Sequence, residues 1–439
     1  MAVELVPNRS QISDSREAGN CVEMRKVASG SIAALLLLAS TLFSPQASAA
    51  ITLPKGSWLP CDQTGTNYCI ESVSVAHAGE KSVALTWIAS GNAAIGATAS
   101  NPSVVAGKAL PGRWTSDSWS TKGYNSLGYD GLYIDAKPAN EYVPWVYVVA
   151  QPTLTTNNQV SLAAQSSNPL NVTSLDSETV IDIKIRTGDV KVGVTFGVGT
   201  DVATDIQSTS GYSTIEISGN PVLVPIAKAS KDCVDNTGVA RDLIVQFQSV
   251  IVPQNDSFGF GVEGSSGKLY IGSNGICKLS TPVWDPDNKV FKYSASAPRF
   301  APDGKTINAG FYRAIIPYAD AALMWGLKSP QDAASALIVS ISTSAGGSIA
   351  ATKSVSARNG LIVIDVSGFD FPNPTLDVRL NPSYKMNSTD LGALVSTPSP
   401  KPKPTPTPKK ITIKCVKGVV TKMLTAVNPS CPKGYKKTQ

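Results

Sequence analysis

The sequence predicts a mainly β chain: two antiparallel β-sandwich-like domains, a Pro/Lys-rich linker and a small disulfide-stapled hairpin at the C-terminal end. Three observations carry this. Short runs alternate apolar and polar residues, as in "VIDIKIR" at 180–186, the period of a strand with one buried face. Clusters of Gly, Asn, Asp and Pro punctuate those runs at turn-like spacing. Charged residues make up only 16% of the chain, against roughly 25% in an average globular domain, and Ser, Thr, Ala, Val and Gly take their place.

The first 49 residues are set aside from the fold. Met24-Arg25-Lys26 supplies a positive start, "IAALLLLASTLF" at 32–43 is an apolar run too short to span a bilayer, and Ala47-Ser48-Ala49 is a small-residue cleavage site. That order reads as a secretory signal peptide, with Met24 as an alternative start. Ala50, where a lipid-anchored precursor would carry cysteine, and the lack of a sortase signal point to export without a covalent anchor. No later stretch is apolar enough for a transmembrane segment, so the expected location is extracellular, associated with the cell wall.

A first sandwich is expected over residues 50–228. Its strands include "SVALTWI", "YVPWVYVVA", "STIEIS" and a hairpin that turns at "TGD" between 180–186 and 190–196. A second is expected over 229–395, with "LIVQFQSVIV", "KLYIG", "ALIVSIST", "LIVIDV" and "LDVRL". Helix is scarce. Pro330 after Ser329 suits a first helical position and Asp332 a helix N-terminus, so "QDAASAL" reads as a short helix; "YADAALMWGL" adds a turn or two. Residues 396–410 alternate proline with lysine and threonine, an extended polyproline-like spacer reaching about 40 Å at roughly 3.1 Å per residue. Residues 411–439 form the terminal module.

Seven cysteines occur, and Cys21 lies in the leader. The remaining even set suits disulfides in an exported protein, and each pair lies within one domain if Cys61 bonds Cys69, Cys233 bonds Cys277 and Cys415 bonds Cys431. A zinc site would want close Cys-x-x-Cys pairs or several histidines, and neither is present; no metal and no cofactor are expected.

Catalytic motifs fare poorly. His77 is the only imidazole available to a catalytic triad, and its setting reads as a turn after a strand. "GFGVEG" at 259–264 matches Gly-x-Gly-x-x-Gly by letter, yet lacks the preceding strand and following helix that would bring a helix N-terminus to a pyrophosphate. "GSSGKL" lacks the P-loop spacing. "DPDN" at 285–288 reads as a turn, since Ser296 stands where a calcium loop of the EF type needs Glu. Carboxylate pairs act across space, and none stands out in the sequence. The chain is expected not to be an enzyme.

Two features remain. Eight Trp and Tyr residues fall between 114 and 147; those from Tyr133 onward alternate like core, leaving Trp114, Trp119, Tyr124 and Tyr129 as loop aromatics and candidate glycan-binding residues. The other feature is charge. The chain carries +6, residues 1–49 are balanced, and residues 401–439 hold ten lysines and no acidic residue, so residues 50–400 carry −4. Lys409, Lys410, Lys414, Lys417, Lys422, Lys433, Lys436 and Lys437 decorate the stapled hairpin, which is expected to turn at Lys417-Gly418. They suit an anionic wall polymer or membrane surface, whereas nucleic acid would call for interleaved aromatics beyond Tyr435.

Residues 411–437, with "CVKG", "VNPSCPKGYKK" and two cysteines, resemble a C-terminal module of exported proteins of actinobacteria. "PCDQTGTNYCIESVSV" and "APRFAPDGKTINAGFYRAIIPYADAALMWGL" are similar to segments of uncharacterised secreted proteins of that lineage. The likeness implies a surface location and supplies no catalytic residues. The expected function is that of a non-enzymatic surface or wall-associated protein; the alternative is a carbohydrate-binding or carbohydrate-processing protein that uses the loop aromatics.

Overall fold

A computed structural model describes residues 4–6, 53–77, 79–91, 110–121, 128–139, 143–163, 174–254, 260–342, 351–384, 411–417, 420–426, 431 and 435–438. The fold is mainly β, as the alternation predicts. The chain divides into two compact units, residues 1–385 and 386–439.

In the first unit a sixteen-stranded sheet carries most of the structure. One arm runs from Thr200–Thr209 through Tyr212–Asn220, Val180–Thr187, Tyr68–Ala76, Val83–Ala89, Gly112–Thr115 and Gly131–Pro138 to Val146–Thr156. The path crosses Ala240–Pro253 and Val192–Val198, then continues through Tyr270–Ser273, Ala309–Pro317 and Leu361–Asp370 to Thr352–Arg358. Neighbours are antiparallel among the described residues, apart from Tyr270–Ser273, which runs parallel to Val192–Val198. The expected hairpin around "TGD" does not form as a pair. Val180–Thr187 instead joins Tyr68–Ala76 and Tyr212–Asn220, while Val192–Val198 joins Ala240–Pro253. Local alternation names the strands but not their partners.

Two cores result. In one, Ile70, Val73, Ile181, Ile183, Ile185, Ile215 and Ile217 pack with Leu132, Ile134, Val146, Val148, Phe247 and Ile251. In the other, residues such as Ile271, Ala314, Ile364 and Val366 pack with Leu279, Phe291, Tyr293, Leu376 and Val378 from a second, six-stranded sheet. That sheet holds Lys278–Ser280, Val290–Ser296, Thr375–Leu380 and Leu337–Ser342, with Val283–Asp285 and Glu4–Val6 alongside. The layout is therefore that of two sandwiches.

The sandwiches share strands. Ala240–Pro253 sends Val250 and Val252 into one core and Phe247 and Ile251 into the other. Val192–Val198 is buried along its whole length. The expected boundary at residue 228 lies between Val222–Ala227 and Ala240–Pro253, two strands that pair with each other, and the sheet runs through on both sides. The even composition of the two halves fits this continuity.

Helices are short. Tyr318–Trp325 ends on Gly326, whose φ of 69° is the left-handed cap that glycine adopts without strain. Trp325 is fully buried, donates from Nε1 to Lys289 O at 3.1 Å and meets Trp284 edge-on. Asp320, also buried, accepts from both the amide and the hydroxyl of Ser266 at 2.7 Å, fixing the "GSSGKL" loop to the helix. The helix expected after Ser329 is a 3-10 turn, Pro330–Asp332, running into Ala333–Ala336, with the Ser329 amide donating to Asp332 Oδ2. Three disulfides join the cysteines as the local pairing predicts.

Candidate functional site

The loop aromatics come first. Trp114 lies on Gly112–Thr115, opposite Trp87 and Leu132, with its ring edge-on to Trp87 at 5.7 Å. Trp119 lies on the short helix Asp117–Thr121; its Nε1 donates to Tyr129 O at 3.0 Å, and the two rings sit 5.5 Å apart. The relative exposures of Trp114, Trp119 and Tyr129 are 5%, 4% and 5%, so all three belong to the first core rather than to an open face. This corrects the expectation of exposed loop aromatics. A strand and a helical turn fold this stretch back onto the sheet, and the Ser116–Asp117–Ser118 helix start was the missed signal. Tyr124 lies outside the described residues.

His77 follows Tyr68–Ala76 and reaches a turn. Its Nδ1 is 3.0 Å from Asp176 Oδ2 and 3.3 Å from Thr179 Oγ1, and Thr179 Oγ1 donates to the same carboxylate. The imidazole pins the end of one strand to the start of Val180–Thr187. "DPDN" is the turn expected: Asp285 accepts from the Asp287 and Asn288 amides and from Asn288 Nδ2, bonds that hold its carboxyl below the usual range. In "GFGVEG", Phe260 and Val262 are buried, and the next regular element is the strand Tyr270–Ser273. Gly259 lies outside the described residues.

One carboxyl pair emerges that sequence reading missed, because its members lie on neighbouring strands 34 positions apart. Asp182 is opposite Ser218 and Lys184 is opposite Glu216, which sets Asp182 and Glu216 at diagonal positions on one sheet face. Burial, then the Glu216 charge, raises the Asp182 carboxyl to about 6, with Lys184 opposing. The fold therefore prefers protonated Asp182. The stability this gives is complete below its ordinary value near 4 and is lost as pH rises through about 6. Asp182→Asn is expected to match the parent near pH 4 and to exceed it at pH 7–8. Solvent screening of this half-exposed group limits the gain to about 1 kcal/mol. Urea melts at both pH values measure it, and an equal shift at both would refute the assignment.

The second compact unit holds the lysines. Ile411–Lys417 pairs antiparallel with Val420–Ala426 as the expected hairpin, and Lys417, expected in the turn, is paired opposite Val420. On its other side Ile411–Lys417 pairs with Lys436–Thr438, a third strand that sequence reading did not anticipate. A three-residue strand shows too little alternation to be seen in sequence. Cys415, on the central strand, is fully buried and bonded to Cys431.

No family model, curated protein or solved structure matches this chain.

Lys414, Lys417, Lys436 and Lys437 are exposed on this small sheet. Lys422 sits opposite Cys415 in the register, and Lys409, Lys410 and Lys433 lie outside the described residues. Residues 386–439 contain ten lysines and a single acidic side chain, Asp390. In the first unit several cations pair with carboxylates, as in Arg313 with Asp201 and Asp365 or Lys268 with Asp205. Among the described residues no helix is long and apolar enough to cross a membrane.

Proposed function

We propose that this is an exported, non-enzymatic surface protein, retained on an anionic wall polymer or membrane face by its basic C-terminal unit. The observation that carries the reading is the second compact unit itself: a disulfide-closed, three-stranded sheet with exposed lysines at 414, 417, 436 and 437, joined to a body of opposite net charge. Such a unit attracts polyanions by charge, and the attraction is screened by salt. The three disulfides are compatible with an oxidising, extracellular setting. The resemblance of residues 411–437 to a module of exported actinobacterial proteins supports the same reading.

Deleting residues 397–439 is expected to release the protein from cell envelopes at low ionic strength, while the full chain stays bound and is freed by added salt. Sedimentation of envelopes with each form measures this. Equal retention of the two forms would sink the proposal. The carbohydrate reading loses its support at Trp114, Trp119 and Tyr129, whose faces are packed inside the protein.

A further inference from the structure

The register of the second unit places its lysines on both faces of the sheet. Val416 lies opposite Lys436, so Lys436 shares a face with Lys414, two residues along the central strand. Cys415 lies opposite Lys437, so Lys437 shares the other face with Lys417, the face that also carries the disulfide. Each face thus holds two exposed lysines at diagonal positions on adjacent strands, roughly 7–8 Å apart, where like charges repel, and Lys422, opposite Cys415, adds a third register position to the face of Lys417 and Lys437. The two opposed pairs are a poor match for a flat surface. Side chains on opposite faces point away from each other, and exposed charges separated by more than ~8 Å are largely screened at physiological salt. A bilayer touching one face would leave the second pair facing away from it. A flexible chain can reach both.

Resting on the retention reading, we propose that the ligand of this unit is a flexible linear polyanion that wraps both faces of the sheet, rather than a planar anionic bilayer. The probes are long-chain inorganic polyphosphate and, separately, phosphatidylcholine–phosphatidylglycerol vesicles, each titrated against the full chain. Two variants separate the faces: Lys414→Gln with Lys436→Gln, and Lys417→Gln with Lys437→Gln. Amide protection over residues 411–417 checks that each variant keeps its sheet.

Each double variant is expected to weaken polyphosphate binding by roughly thirtyfold, and to flatten the logarithmic salt dependence by about 1.5, the loss of two phosphate contacts. The four-lysine variant is expected to lose both increments. A loss confined to one pair would overturn the two-faced geometry. Tight binding to vesicles without binding to polyphosphate would overturn the polymer and leave retention standing. Binding to neither probe would overturn retention and this inference together.

Discussion

Gly197→Ala is expected to destabilise both sandwiches at once, by about 4 kcal/mol, in a single unfolding transition. Gly197 lies on Val192–Val198, between Ser249 on one side and Gly272 on the other. A Cβ there would stand 2.1 Å from Gln248 O and 2.9 Å from Ser249 Cα, both backbone atoms that no rotamer change can move aside. Overpacking a core typically costs about 1–3 kcal/mol, and a clash with a paired strand belongs above that range. Because this strand and Ala240–Pro253 serve both cores, the injury cannot stay in one. Hydrogen exchange at Ile183 in the first core and Phe291 in the second should accelerate together. Gly65→Ala, with nothing within 4 Å of the added carbon, is the control and should be neutral. Faster exchange at one site alone would show that the sandwiches unfold separately.

Replacing both Cys415 and Cys431 by serine is expected to unfold the second unit while leaving the body intact. The bridge closes a loop with a sequence separation of 16, worth roughly 3 kcal/mol in the chain-entropy account. A three-stranded sheet in so small a unit has little core of its own to offset that loss. The variant should lose amide protection at residues 413–416, and its body should melt at the parent temperature. Retained protection in the tail would mean that the sheet stands without its staple.

Strand identity is legible because alternation is a local property, and the cysteine pairs because each cysteine bonds the one next to it in chain order. What escaped was long-range. "VIDIKIR" and "VKVGVTF" look like two legs of a hairpin, yet Ile183 pairs with Val73 and Ile217, while Phe196 pairs with Val250 and Ile271. The run Val192–Val198 is buried on both faces, a pattern that apolar letters with interspersed Gly and Thr disguise as one-sided alternation. The aromatic stretch hides its burial for a related reason. Trp114 and Trp119 sit near turn residues, and composition does not reveal that Asp117–Thr121 curls the chain inward. Asp182 and Glu216 meet only because their strands are neighbours.

The shared strands also set the order in which the chain can acquire its structure. Tyr68–Ala76 waits for Val180–Thr187, Val146–Thr156 waits for Ala240–Pro253, and Val192–Val198 waits for Tyr270–Ser273. A chain delivered N-terminal end first can pair Tyr68–Ala76 with Val83–Ala89 early, but the other edge of Tyr68–Ala76 stays open until Val180–Thr187 emerges. Until then those strands present unpaired edges and apolar faces, the state in which chains aggregate or are cut. Pairing over such distances makes folding slow. The open edges close only when the final strands arrive.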